Sequence, residues 1–157
     1  MKTNHKAKDK QSSDNERRRG SQDSISKMMT ERAEVLSLYC RLAGLDPLAE
    51  SRHKDPAQKL LQEFCQILVD YIAAGHFSLY ERVVNGTERR RELAVLAQDL
   101  YPRIAATTSV ALDFNDKYDC GEYCELTESF QTDLSKVGEE LAVRIELEDK
   151  LISQMLS

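Results

Sequence analysis

The chain has no tryptophan, and only three prolines, three histidines and four cysteines among its 157 residues. Each shortage removes a class of protein. The cysteines (Cys40, Cys65, Cys120, Cys124) are scattered, and two fall inside helical patterns, so they read as reduced thiols rather than a disulfide framework. A domain of this length buries enough surface to fold without disulfide or metal support. No apolar run reaches the roughly 18 residues of a membrane span. The N-terminus is basic but lacks an apolar h-region, so no secretory signal is read there and the expected location is the cytoplasm. Also missing are a Gly-rich phosphate loop, a nucleophile elbow and an HExxH pair. Strand signals are absent as well: no alternating run lasts more than four residues.

What remains is helical periodicity and charge. The net charge is −5. Residues 1–20 hold seven basic residues against three acidic ones, a net +4, which leaves −9 for the rest. An acidic body repels nucleic acid directly and suits a basic partner. Residues 1–23 lack apolar residues to bury and read as a polar, basic, disordered arm, with a single domain over 24–157.

From Ser24 to Ala43 apolar residues return every three or four positions: Ile25, Met28, Met29, Val35, Leu36, Tyr39 and Leu42, with Arg32 on the same face. Gly44 is placed to end that helix through a left-handed cap. Asp55 and Pro56 open a second helix with a broad apolar face that includes Phe64, Leu68 and Tyr71. Gly75 should interrupt it, and a short helix from His76 to about Val84 should leave at an angle. Asn85-Gly86 marks a turn, Thr87 caps the next helix, and Pro102 predicts a kink or break within it. Residues 115–123 read as a loop. The stretch Leu126–Met155 is amphipathic, with a bend or break expected near Gly138. The fold class is therefore all-α, an antiparallel helical bundle with short connections.

The candidate metal sites fail on spacing. Cys120 and Cys124 lack a second ligand pair for zinc. The acidic stretch Asp113–Gly121 misplaces Tyr118 and Cys120 on a calcium-loop template. A di-iron bundle needs Glu-x-x-His pairs, and none is present. No cofactor is expected, and no enzymatic activity. One oddity survives. Leu134, Gly138, Leu141, Ile145, Glu148, Ile152 and Met155 share a helix stripe, so Glu148 sits on an apolar seam with Arg144 one turn earlier. An unpaired buried carboxylate costs several kcal/mol, so Glu148 should find a partner in Arg144, His76 or a tyrosine such as Tyr80.

Residues 64–82, FCQILVDYIAAGHFSLYER, resemble the central segment of the Rsd/AlgQ family, F-C-x-x-L-x-D-Y-x-x-x-G-H-F-x-x-Y-E, at every fixed position. Residues 138–152, GEELAVRIELEDKLI, are similar to that family's C-terminal motif G-x-x-L-x-x-R-x-x-L-E-D-x-L-I. The likeness runs from Ile25 to the C-terminus. It implies a helical bundle that binds region four, the promoter-reading domain of the primary sigma factor; a monomer is expected. Binding would keep sigma from core RNA polymerase and promoter DNA, with a tie to stationary phase. A phosphotransfer or stringent-response protein is the rival partner that the resemblance implies. A small-ligand or metal sensor at His76 and Glu148 is the rival from another class. Partner contacts are expected from Asp70, Tyr71, His76, Phe77, Tyr80 and Glu81, and from Arg144, Glu148 and Asp149, with Met28 and Arg32 contributing from the first helix. The chain departs from the family where an Asp-Arg-Trp triplet is usual: here it has Ser26-Lys27-Met28.

Overall fold

A computed structural model describes residues 4–44, 54–80, 91–119 and 128–156. Four α-helices carry them: α1 (Asn4–Ala43), α2 (Lys54–Gly75), α3 (Arg91–Tyr118) and α4 (Glu128–Leu156). The chain is all-α, as its periodicity requires. Contacts fix the helix directions. Met28 of α1 lies against Gly75 of α2, and further along Tyr39 meets Phe64, so these helices run antiparallel. Phe64 meets Phe114 of α3, and Tyr118 of α3 meets Asp133 of α4. Thr107 and Arg144 then pair farther back along α3 and farther forward along α4. The result is an up-down-up-down bundle.

Several boundaries differ from expectation, each for a physical reason. α1 starts at Asn4 rather than after Ser24. Residues 4–24 contain no proline, and their lysines, arginines, glutamines and glutamate are adequate helix formers. Among the residues of α1 whose side chains are described, Ile25 is the first buried apolar one. On the same helix Met29 and Leu36 are exposed instead of joining the core. The Gly44 amide still donates to Cys40 O (3.0 Å), and its backbone is not left-handed, so α1 ends without the expected cap. Pro102 lies inside an unbroken α3. It removes a bond to the carbonyl of Gln98, but both residues are exposed, so water can serve that carbonyl. α3 also continues to Tyr118, into the stretch read as a loop.

α4 runs unbroken through Gly138, whose role is close approach. A Cβ there would lie 2.0 Å from the Tyr39 hydroxyl, which donates to Leu134 O (3.2 Å). The missing side chain lets a tyrosine lie across α4. Asn85, Gly86, Thr87, Cys120 and Cys124 fall outside the described residues, as do the caps assigned to them.

The core divides by chemistry. Toward one end Phe64, Phe114, Tyr118 and Phe130 form an aromatic layer, with edge-on contacts of 5.7 Å between Phe64 and Phe114 and 5.2 Å between Tyr118 and Phe130. Cys65 is buried beside it, and burial pushes its thiol up to about 12, so it stays protonated. Toward the other end the interior is ionic.

Candidate protein-binding site

Glu148 is fully buried on α4, as its place on the apolar seam predicts. Arg144 Nε donates to Glu148 Oε1 (2.9 Å), one helical turn away. The second partner is a tyrosine from α2: the Tyr71 hydroxyl donates to Glu148 Oε2. Arg32 of α1 approaches the same oxygen at 3.5 Å and donates through Nη2 to Asp149 (2.9 Å). Arg144 Nη1 donates to the hydroxyls of Thr107 (3.2 Å) and Thr108 (2.7 Å) on α3, and its guanidinium lies 5.6 Å from the centre of the Tyr71 ring. Side chains from α1, α2 and α4 thus meet at one carboxylate, and α3 joins the cluster through Arg144. Burial pushes the Glu148 carboxyl above its ordinary value, while Arg144, Tyr71 and Arg32 pull against it.

Gly75 makes room for this cluster. A Cβ there would come within 3.3 Å of Arg144 Nη2 and 3.6 Å of Met28 Sδ. The chain does not break at Gly75 into a helix set at an angle. It continues as a π-helical turn, His76–Tyr80. The widened turn buries Ser78 and Leu79, with Ser78 Oγ donating to Ser24 O (3.2 Å), and turns His76 and Phe77 outward. Phe77 is 62% exposed. Such turns recur at functional sites.

The expected contact residues therefore separate into two sets. Met28, Tyr71, Arg144 and Glu148 are buried, with Arg32 nearly so, and they present no side chain to a partner on the surface. The spacing of these five puts them on the apolar faces, where they hold the helices together. His76, Phe77 and Asp149 are exposed, and Asp70 is half-buried, accepting from Gln66 Nε2 (3.2 Å). The Tyr80 side chain and Glu81 lie outside the described residues. Next to Asp70, burial pushes the Glu31 carboxyl up, and Asp70 and Glu34 add to that against Lys27. Glu31 Oε2 is shut from solvent and has no hydrogen-bond partner among the described residues.

Sequence reasoning missed the α3 half of the surface. An open groove of about 520 Å³ runs between α2 and α3, floored by Val69, Ile72, Ala73, Ile104 and Ala105. Phe77, Tyr101 and Leu112, all exposed, line it too. A signal was available in Tyr101 and Leu112, which fall off the buried stripe of α3.

Residues 8–156 match the family described as regulator of RNA polymerase sigma(70) subunit, Rsd/AlgQ. The chain is 39% identical over 146 residues to the regulator of sigma D of Shigella dysenteriae serotype 1 (strain Sd197), covering 90% of this chain and 89% of that one. The regulator of sigma D of Escherichia coli (strain K12 / DH10B) matches to the same extent. With both signature blocks present and matched over nearly their full length, the chain belongs to the Rsd/AlgQ family.

Proposed function

We propose that this protein is an anti-sigma regulator that holds region four of the primary sigma factor on the surface formed by Asp70, His76 and Phe77, and so keeps sigma from core polymerase and promoter DNA. The observation that carries the reading is the π-helical turn, which brings two residues of the family's central motif out of the bundle, one of them an aromatic ring exposed for most of its area. A promoter-reading domain is basic because it meets phosphates. The carboxylates of Asp70, Glu31 and Glu34 give that basic surface a complement. Phe77 supplies an apolar anchor of the kind that dominates interface energetics. The role needs no chemistry, only occupation of a surface that sigma uses elsewhere. Stationary phase, when a cell changes sigma usage, is the setting the family resemblance suggests.

Calorimetric titration of the full chain with the isolated region-four domain of its host's primary sigma factor tests this. One-to-one binding is expected, weakening as salt rises because exposed charges are screened. Phe77→Ala should cost about tenfold or more in affinity, in line with loss of an interface anchor. Asp70→Lys should weaken binding and flatten its salt dependence. Absence of binding by the native chain would overturn the reading and direct the search to a phosphotransfer or stringent-response partner.

A further inference from the structure

Between Ile25 and Ala43 of α1 the exposed residues sort completely by polarity. The apolar ones are Met29, Ala33, Leu36, Cys40 and Ala43, which recur at steps of four, three, four and three. The polar ones, Ser26, Lys27, Thr30, Glu34, Ser37 and Arg41, all lie elsewhere on the helix. At about 100° per residue the five apolar positions fall within a stripe about 80° wide. Their spacing is the a and d pattern of a coiled-coil seam, the form in which one helix receives another. The stripe stands about 90° round the helix from the buried face that holds Met28, Arg32 and Val35. It is on the α4 side of α1, beside Arg32 and Tyr39, which bond to Asp149 and Leu134. Met29 and Leu36 are each 39% exposed, so the bundle leaves the seam open.

We propose that a second copy of this chain fills the seam, packed antiparallel about a twofold axis near Leu36. Charge selects this occupant. The Asp70 surface has the carboxylates that draw a basic partner, whereas the stripe and the Ser26, Thr30 and Ser37 that border it on α1 carry no charge. Two copies of an acidic chain can meet there without setting like charges together. Twofold symmetry makes one such patch serve both copies. Charge also sets the direction. Residues 1–20 are +4, whereas residues 113–133 hold seven acidic residues against Lys117 alone. The end of α3 and the start of α4, which flank that acidic stretch, lie where α1 finishes, and the basic segment leaves from the opposite end. An antiparallel pair directs each basic segment toward the acidic end of its partner. A parallel pair would set base beside base and acid beside acid. The inference does not rest on the sigma reading, and it replaces the expected monomer with a symmetric pair.

Sedimentation equilibrium of the full chain, without any partner, tests it. Average mass should rise from one chain toward two with concentration and fall back as salt is raised, because the attraction between the ends is screened. Leu36→Glu sets two carboxylates against each other at the axis and should raise the dimer dissociation constant about a hundredfold or more. Leu36→Lys should do the same. Mixing the two variants should restore the pair, since position 36 of one copy meets position 36 of the other. Both changes fall on an exposed side chain, and circular-dichroism melts check that the fold is kept. Direction is read by oxidation. Leu36→Cys in a Cys40→Ser background should crosslink into a dimer, while the native chain should not crosslink through its exposed Cys40, which a parallel pair would bring face to face. Should the charged variants fail to fold, the native mass and the crosslink decide. A native chain that stays single at every concentration would overturn the proposal and leave the seam to a foreign helix. Association that Leu36→Glu leaves unchanged, or a crosslink through Cys40, would overturn it too.

Discussion

Two tyrosine–carboxylate pairs lie 15 residues apart on α4, about 22 Å along the helix. In one, Tyr71 donates to Glu148 beside Arg144; in the other, Tyr118 donates to Asp133 (2.6 Å) beside Lys117 (2.7 Å). The groups are alike: a phenol, a carboxylate and a cation. Their electrostatics are opposite. The Asp133 carboxyl is held below its ordinary value, first by the bond from Lys117 and then by the one from Tyr118. The Glu148 carboxyl is pushed up, because its side chain is 0% exposed where that of Asp133 is 32%. Partners being equal, the loss of water decides the sign. One pair is a surface clasp; the other is a buried joint that requires every member.

The widest gap between them should appear on removing the carboxylate. Glu148→Ala leaves Arg144 and Arg32 without their shared buried counter-charge and should destabilise the fold by about 3–5 kcal/mol, read from urea unfolding. Asp133→Ala should cost far less, and near-equal losses would break the comparison. The phenols should keep the same order. Tyr71→Phe takes a donor from a buried charge and should cost about 1.5–3 kcal/mol, whereas Tyr118→Phe should cost about 1 kcal/mol or less because water can replace the bond. Lys117→Ala should change stability by at most about 1 kcal/mol, since both its side chain and that of Asp133 are partly solvated.

Acid sharpens the comparison further. Asp133 has a lowered folded pKa, so its contribution is present above its unfolded value, near pH 4, and is lost as pH falls through the folded value. Glu148 has a raised one, so its contribution is complete below about pH 4 and is lost as pH rises through the folded value. Stability measured from pH 3 to 7 should therefore rise less steeply in Asp133→Asn and more steeply in Glu148→Gln than in the native chain.

The ionic joint was half legible in the sequence. Periodicity placed Glu148 on the seam, and i, i+4 spacing named Arg144. It could not name Tyr71 over His76 or Tyr80, because that choice depends on how α2 is rotated against α4. Fold class was fully legible, since helical periodicity is a local property of the chain. Gly75 and Gly138 were misread for one reason: a glycine that stops a helix and a glycine that admits a neighbour look identical until the neighbour is known. Here the neighbours are Arg144 and Tyr39. The exposed part of the site was legible only as motif letters. Conversion into a surface required the groove against α3, a contact between segments some thirty residues apart.

The π-helical turn at His76–Tyr80 has a consequence for chain length. Such a turn holds one residue more than an α-helical turn, so it amounts to an insertion carried directly after α2. Deleting any one of its five residues would let the helix close and would rotate the residues beyond the deletion by about 100°. Ser78 and Leu79 would no longer point inward together, and Phe77 would give up its place to a neighbour. A substitution in this turn alters a surface, whereas a deletion reassigns which residues own it.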